Sequence, residues 1–254
     1  MSSDITSLLN LENDQKNKTF IFATKDSASD LNFFYSEILS FYLKRNYSVI
    51  IVNLAQSYSH YTHLLLKSGV NLRSLKDQEK VVIVDLMAEA GSLIKNTASE
   101  SSNIFQPLIS NGESVECLRP LFDSVKNAVD KLKPKGCVIL IDDINVSTTL
   151  GVSLRAVQMF VKHLLLIKMV GEPFRFLFGS FIDECDTENG KVRTYLNKLA
   201  DINVHVEGLK TGYSKDTHGK ITVGIKNQSD CSCKQQTLFF KVGDKGAKLL
   251  TLGL

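Results

Sequence analysis

The sequence predicts an α/β fold: a mainly parallel sheet flanked by helices, with antiparallel β-hairpin strands added at its C-terminal end. Three observations predict it. Short Val- and Ile-rich runs alternate five times with segments whose apolar residues recur at helical spacing. The runs show little polar alternation, as strands buried on both faces do. After Asp201 the helical spacing gives way to short β-patterned runs separated by Gly-, Asn- and Ser-rich turns.

Taken in order, residues 19–24 form the first expected strand. Leu31, Phe34, Tyr35, Ile38, Leu39 and Tyr42 form the buried stripe of the helix after it. Residues 48–54 are the second strand, followed by a helix over 58–67 that Gly69 ends. Residues 81–86 are the third. The stretch 91–116, rich in Ser, Asn and Glu, is expected as a flexible surface insertion. Leu118, Leu121, Phe122, Val125, Val129 and Leu132 then mark an amphipathic helix with Pro120 in its first turn. Residues 137–141 are the fourth strand, and a long helix over 149–169 follows. Residues 174–178 are the fifth strand, with a short helix near 192–199. Strands over 204–207, 221–225 and 238–242 close the chain. With no internal repeat and no linker, residues 1–254 are expected to form a single domain.

Composition narrows the function. The 43% hydrophobic and 22% charged content is that of a chain with a buried core. A net charge of +3 is too small to mark a strong nucleic-acid binder by itself. No secretory leader is expected, because the first residues are polar and their apolar cluster is short. Apolar runs such as 164–167 and 137–141 are at most five residues long, far short of a membrane span. Five cysteines without a sign of export are read as reduced thiols.

An open α/β sheet binds ligands at the carboxyl ends of its strands. A phosphate-binding loop there needs glycines, so that backbone N–H groups wrap the phosphates, and a Lys and a Ser or Thr opening the helix. Residues 24–31, Thr-Lys-Asp-Ser-Ala-Ser-Asp-Leu, contain no glycine. Lys25 comes too early, and Asp30 falls near the place of the phosphate lysine. A carboxylate about 4 Å from a phosphate costs roughly 4 kcal/mol at an effective dielectric near 20. Asp30 is expected instead to cap its own helix.

Other motifs weigh less. Asp142 and Asp143 end an apolar strand like a Walker B motif, but acids at strand ends are common, and the pair is read as a fold marker. His60 and His63 have a spacing that would suit a metal on one helical face, with no third ligand nearby. Cys231-X-Cys233 is a metal-type pair without a second pair. Residues 210–248 hold eight Lys against three Asp, read first as a solvated sheet edge and second as a phosphate-tracking surface. Neither a metal nor another cofactor is expected.

Several segments together resemble one family, the sixth subunit of the Elongator complex. They are Ile38-Leu39-Ser40-Phe41-Tyr42-Leu43-Lys44, then Gln56-Ser57-Tyr58-Ser59-His60-Tyr61 and Ser68-Gly69-Val70. Val206-Glu207-Gly208-Leu209-Lys210-Thr211-Gly212-Tyr213, Asp216-Thr217-His218-Gly219-Lys220 and the strand over 138–143 complete the match. The resemblance implies a RecA-like fold without a P-loop. It also implies a hetero-hexameric ring with Elongator subunits 4 and 5. That ring associates with the catalytic Elongator subcomplex, binds tRNA and supports wobble-uridine modification, in the cytoplasm or the nucleus. On this view the chain is not an enzyme, and no residue is assigned to catalysis. Polar and aromatic residues at strand ends make Ser57, Tyr58, His60, Tyr61, Tyr213 and His218 candidate subunit-interface residues, and Lys210, Lys215 and Lys220 candidate tRNA-facing residues. The alternatives are an autonomous RecA/KaiC-type nucleotide-binding ATPase, against which the missing Gly-Lys-Ser/Thr argues, and a monomeric cofactor-binding domain.

Overall fold

The structure, a computed structural model, describes residues 4–13, 18–95, 103–132, 136–167, 173–183, 185–209, 211–212, 214–227, 232–243 and 246–250. The five apolar runs become β1 (Lys18–Lys25), β2 (Ser48–Asn53), β3 (Val81–Asp85), β4 (Cys137–Ile141) and β5 (Phe174–Phe181). Beyond them lie β6 (Ile202–Gly208), β7 (Gly219–Lys226), β8 (Cys233–Gly243) and β9 (Gly246–Leu250). Among the described residues these strands form one nine-stranded sheet in the order β3-β2-β4-β5-β1-β6-β7-β8-β9.

The helices in chain order are α1 (Asp4–Leu8), α2 (Asn32–Lys44), α3 (Tyr58–Lys67), α4 (Leu72–Asp77) and α5 (Leu86–Ile94). They continue with α6 (Gln106–Ser110), α7 (Arg119–Leu132), α8 (Asn145–Thr149), α9 (Leu154–Leu166) and α10 (Thr187–Leu199). Alternation along the buried strands feeds two separate cores. Ile21, Ala23, Val49, Ile51, Val138 and Leu140 face α2 and α3. Phe20, Phe22, Ile50, Val52, Ile139 and Ile141 face α7, α9 and α10. Each such Val, Ile, Leu or Phe side chain contributes about 1.5–3 kcal/mol by leaving water.

Helix α2 is enclosed on every side: ten consecutive residues, Phe33 to Tyr42, are buried. The sheet covers one flank, and the β8–β9 hairpin curls over the other. Phe33 stacks on Phe240 with ring centroids 4.7 Å apart. Glu37 Oε1 accepts the Ala247 N–H at 2.6 Å, and Asp4 Oδ2 accepts the Leu249 N–H at 3.0 Å. Carboxylates from α2 and α1 thus satisfy the outer edge of the terminal strand, which would otherwise invite another strand.

Four expectations change. The first strand after Asp201, β6, is antiparallel only on the side of β7: on its other side it pairs parallel with β1, because α10 carries the chain across the sheet before it begins. The antiparallel pairs are β6–β7, β7–β8 and β8–β9. The helix expected over 149–169 is divided, with Gly151 at φ +90° separating α8 from α9, whose start Ser153 caps by accepting the Ala156 N–H at 3.3 Å. In the stretch 91–116, residues 91–94 belong to α5, α6 lies further on, and Asn103 and Leu108 are buried, while residues 96–102 lie outside the described residues. Finally, α1, α4 and β9 have no counterpart in the sequence reading, being too short for periodicity to register. Gly69 does end α3, at φ +76° with Val70 N–H donating back to Leu65.

Candidate functional site

The carboxyl ends of β1, β4 and β5 converge where a sheet of this topology binds ligands. The loop after β1 is laced onto β6 instead of arching over an open space. The Asp26 carboxylate accepts the Gly208 N–H at 3.1–3.2 Å and the Ala28 N–H at 3.1 Å. Ser29 Oγ donates to the Val206 carbonyl at 2.9 Å. Gly208 permits this approach: a Cβ there would stand 2.5 Å from Ala28 Cβ and 2.7 Å from its carbonyl oxygen. Asp30 accepts the Asn32 N–H at 2.8 Å. It meets the first helical N–H as expected, but from one residue further back, since the N-cap position is Leu31.

Asp142, the first Walker-B-like acid, is 5% exposed, and its oxygens face the backbone of the β2–α3 turn. They accept N–H groups from Leu54 (2.7 Å), Ala55 (3.0 and 3.2 Å), Gln56 (2.8 Å) and Asp143 (2.9 Å). Burial raises its pKa above the usual 3.8, and these N–H groups hold the rise back. Asp143 is pushed up to about 6 by burial. The Asp142 charge adds to this, while the Asn145 N–H and Lys25 oppose it.

Between the ends of β4 and β5 stands Tyr35, from the first turn of α2. Its hydroxyl donates to the Asp142 carbonyl at 2.7 Å. Gly179 on β5 makes room, since a Cβ there would lie 1.7 Å from the Tyr35 hydroxyl and 2.2 Å from the Asp142 carbonyl. Asn145 ties the same corner together, donating to the Phe181 carbonyl at 2.6 Å and accepting from Ser180 Oγ at 3.0 Å. Burial pushes the Tyr35 phenol well above 10.0, with Asp142 and Asp143 adding to it.

Outside this plug lies an open cleft of about 810 Å³ between the β1–α2 loop, α3 and the β8–β9 hairpin. It brings together two of the candidate interface residues, His60 and His218, from opposite ends of the chain, and adds His63. His60 Nε2 lies 2.8 Å from Asn32 Oδ1. His63 Nδ1 bonds the Ser59 carbonyl at 2.8 Å, and His218 Nδ1 accepts the Val242 N–H at 3.0 Å. Ser57 caps α3 by accepting the His60 N–H at 3.2 Å, and Tyr58 is half-buried beneath Lys76, whose ammonium is 4.9 Å from the ring centre.

Tyr61 is corrected out of the interface set. It is 0% exposed and packs in the core with Leu65, because a position three after Tyr58 turns inward on this helix. Tyr213 and Lys210 lie outside the described residues. Lys215 is exposed, and Lys220 lies over the Phe239 ring at 5.7 Å. Cys231 is outside the described residues, and Cys233 is exposed. Among the described residues no group of three or more His, Cys, Asp or Glu side chains is arranged to hold a metal. None of their helices is long and apolar enough to cross a membrane. The sequence reading missed Tyr35 as a site residue, because at helical spacing a Tyr and a Phe serve the same apolar stripe. The pairing of Asp26 with Gly208 joins residues too far apart in the chain for any local pattern.

Comparison with known proteins places this geometry in context. A family model described as Elongation complex protein 6 matches residues 3–244. Elongator complex protein 6 of Danio rerio is 29% identical over 261 residues, covering 100% of this chain and 98% of the relative. The Xenopus laevis and Homo sapiens proteins of the same name are 28% and 26% identical, with the same coverage of both chains. Among solved structures, a KaiC-like protein from Pyrococcus horikoshii superposes with a TM-score of 0.58 at 11% identity, over 92% of this chain and 89% of that one. The likeness is one of fold, and the fold is RecA-like.

Proposed function

This chain belongs to the Elongation complex protein 6 family, and we propose that within the Elongator complex it is a non-catalytic assembly subunit. In this reading it joins subunits 4 and 5 in a RecA-like hetero-hexameric ring. The ring meets the catalytic subcomplex, engages tRNA and supports wobble-uridine modification in the cytoplasm or nucleus.

One observation carries the reading: at the carboxyl end of the sheet, the groups a nucleotide would need are bound to the chain itself. Asp142 has its oxygens on the Leu54, Ala55 and Gln56 amides, where a Walker B acid would hold Mg²⁺ through water. Asp26 and Asp30 take the loop amides that would wrap a phosphate. Tyr35 fills the corner between β4 and β5. What survives is a shape with a histidine-lined cleft at its rim, which suits contact with a neighbour.

The test is co-expression with subunits 4 and 5, followed by mass measurement of the purified species and calorimetric titration of the isolated chain with Mg-ATP. A stable species containing all three subunits, and no ATP heat from the isolated chain, is the expected pair of results. Tight ATP binding by the chain alone would restore the autonomous ATPase.

A further inference from the structure

We propose that α1 and β9 act as one strap that docks and releases as a unit, and that this strap holds the hairpin wall of the cleft in place. The device joins opposite ends of the chain and stands independently of the assembly reading above.

Neither part keeps its shape alone. α1 is a single turn of five residues, too short to be helical by itself in water. β9 is also five residues, and among the described residues it pairs with a strand on one side only, β8. Its outward-facing amides take carboxylates in place of a strand: Ala247 donates to Glu37 of α2 at 2.6 Å, and Leu249 donates to Asp4 of α1 at 3.0 Å. α1 is fixed in turn by what it meets. Ile5, Leu9 and Leu11 are buried in the same core as Ala247 and the apolar side chains of α2, with Leu249 packed against it. Asn10, at φ 53°, turns the chain back, and Glu12 then pairs with Arg45 at the end of α2 at 3.2 Å. Removing either part strips the other of apolar cover and of a charge-assisted bond.

The strap reaches the cleft through β8. Leu249 is paired with Phe240, and Ala247 with Val242. Phe240 stacks on Phe33, and the Val242 N–H donates to His218 Nδ1 at 3.0 Å. Phe33, His218, Phe240, Val242 and Gly246 all line the cleft, whereas Asp4, Ile5 and Leu249 do not. The latch therefore lies outside the cleft, while the residues it steadies form the wall. Docked and released are two arrangements of one element, and such an element is what coupling between separate sites requires. A ligand that pulls on the N-terminal segment loosens the cleft wall. By linkage, a ligand that needs the formed wall tightens the strap.

Hydrogen exchange of the full chain, read by mass spectrometry, tests this coupling. Asp4→Ala removes the clasp on Leu249, and Ile5→Ala loosens α1 from the core without touching that bond. Both should speed exchange over residues 240–243 and 246–250 by about 10- to 100-fold, the range expected from losing one hydrogen bond to a charged group, with β1 and β4 unchanged. Leu249→Ala is the reciprocal change and should speed exchange over residues 4–11 to a similar degree. Asp4 is exposed, so its variant stays readable if either variant at a more buried position fails to fold. Acceleration in Asp4→Ala that is confined to residues 4–11, or no acceleration at all, overturns the strap. Uniform acceleration across the sheet overturns it as well, because α1 would then belong to the central fold.

Discussion

The Tyr35 hydroxyl donates a hydrogen bond of 2.7 Å to the carbonyl of Asp142, across 107 residues of sequence. The bond crosses the corner where β4 and β5 end, in the space that a side chain on Gly179 would otherwise occupy. One contact therefore joins the helix that would follow a phosphate loop to the strand that would carry a Walker B acid. It closes the crevice between them.

Adding a single methyl group at this corner should be costly. In Gly179→Ala the new Cβ meets both the Tyr35 hydroxyl and the Asp142 carbonyl, and overpacking of this kind costs about 1–3 kcal/mol. Tyr35→Phe removes the donor and leaves a buried carbonyl unsatisfied, a loss of about 1–3 kcal/mol. Urea unfolding of both variants and of the pair checks this. The pair should be destabilised by less than the sum, because removing the hydroxyl clears one of the two clashes.

Asp143 should make the protein lose stability as pH rises through mild acid. Its pKa is about 6 in the folded chain against an ordinary 3.8, so folding favours the protonated acid. The stability it contributes is complete below about pH 4 and is lost as pH climbs to 6. Asp143→Asn keeps an acceptor for the Asn145 N–H without the charge. At pH 7 the variant should be more stable than the parent, by a margin on the order of 1–3 kcal/mol that closes by pH 4. Urea midpoints at pH 4, 5.5 and 7 measure it, and a gap that stays constant with pH would sink the assignment.

Periodicity made the fold legible wherever a strand was buried on both faces. β2, with all six residues buried, and β4, with all five, stand out as continuous apolar runs. The direction of β6 was hidden, because a strand carries no mark of the neighbour it pairs with until α10 is placed. The absence of glycine from residues 24–31 was visible in the sequence. The contacts that fill the ends of β1, β4 and β5 were not, since Gly208, Gly179 and Tyr35 act at a distance. His60 and His218 were picked from local character at opposite ends of the chain, and only folding brings them to one cleft. Tyr61 was misread because polar and aromatic neighbours in sequence point to opposite sides of one helix.

Tyr61 and His60 should therefore separate stability from assembly. Tyr61→Ala empties a fully buried site beside Leu65 and should cost about 3–5 kcal/mol, a large share of the roughly 5–15 kcal/mol that holds an ordinary domain folded. His60→Gln, on the half-buried cleft wall, should leave the thermal midpoint within a few degrees. Circular dichroism melts of the two variants distinguish them. Equal losses would mean that His60 is as much a core residue as Tyr61.

Glu37 holds the C-terminal hairpin on α2. Its Oε1 accepts the Ala247 N–H from inside the protein, and Gly246 is in close contact: a Cβ there would fall 2.8 Å from the same oxygen. A bond from a buried amide to a carboxylate is worth about 1.5–3 kcal/mol. Glu37→Ala should release mainly this clasp, because the rest of α2 remains packed against the sheet through Phe34, Ile38 and Leu39. Hydrogen exchange read by mass spectrometry should then rise by about 10- to 100-fold over residues 246–250, and much less over β1 and β4. Uniform acceleration across the sheet would show instead that the hairpin and the parallel core open as one unit. In that case the β8–β9 cover would have to be counted as part of the central fold.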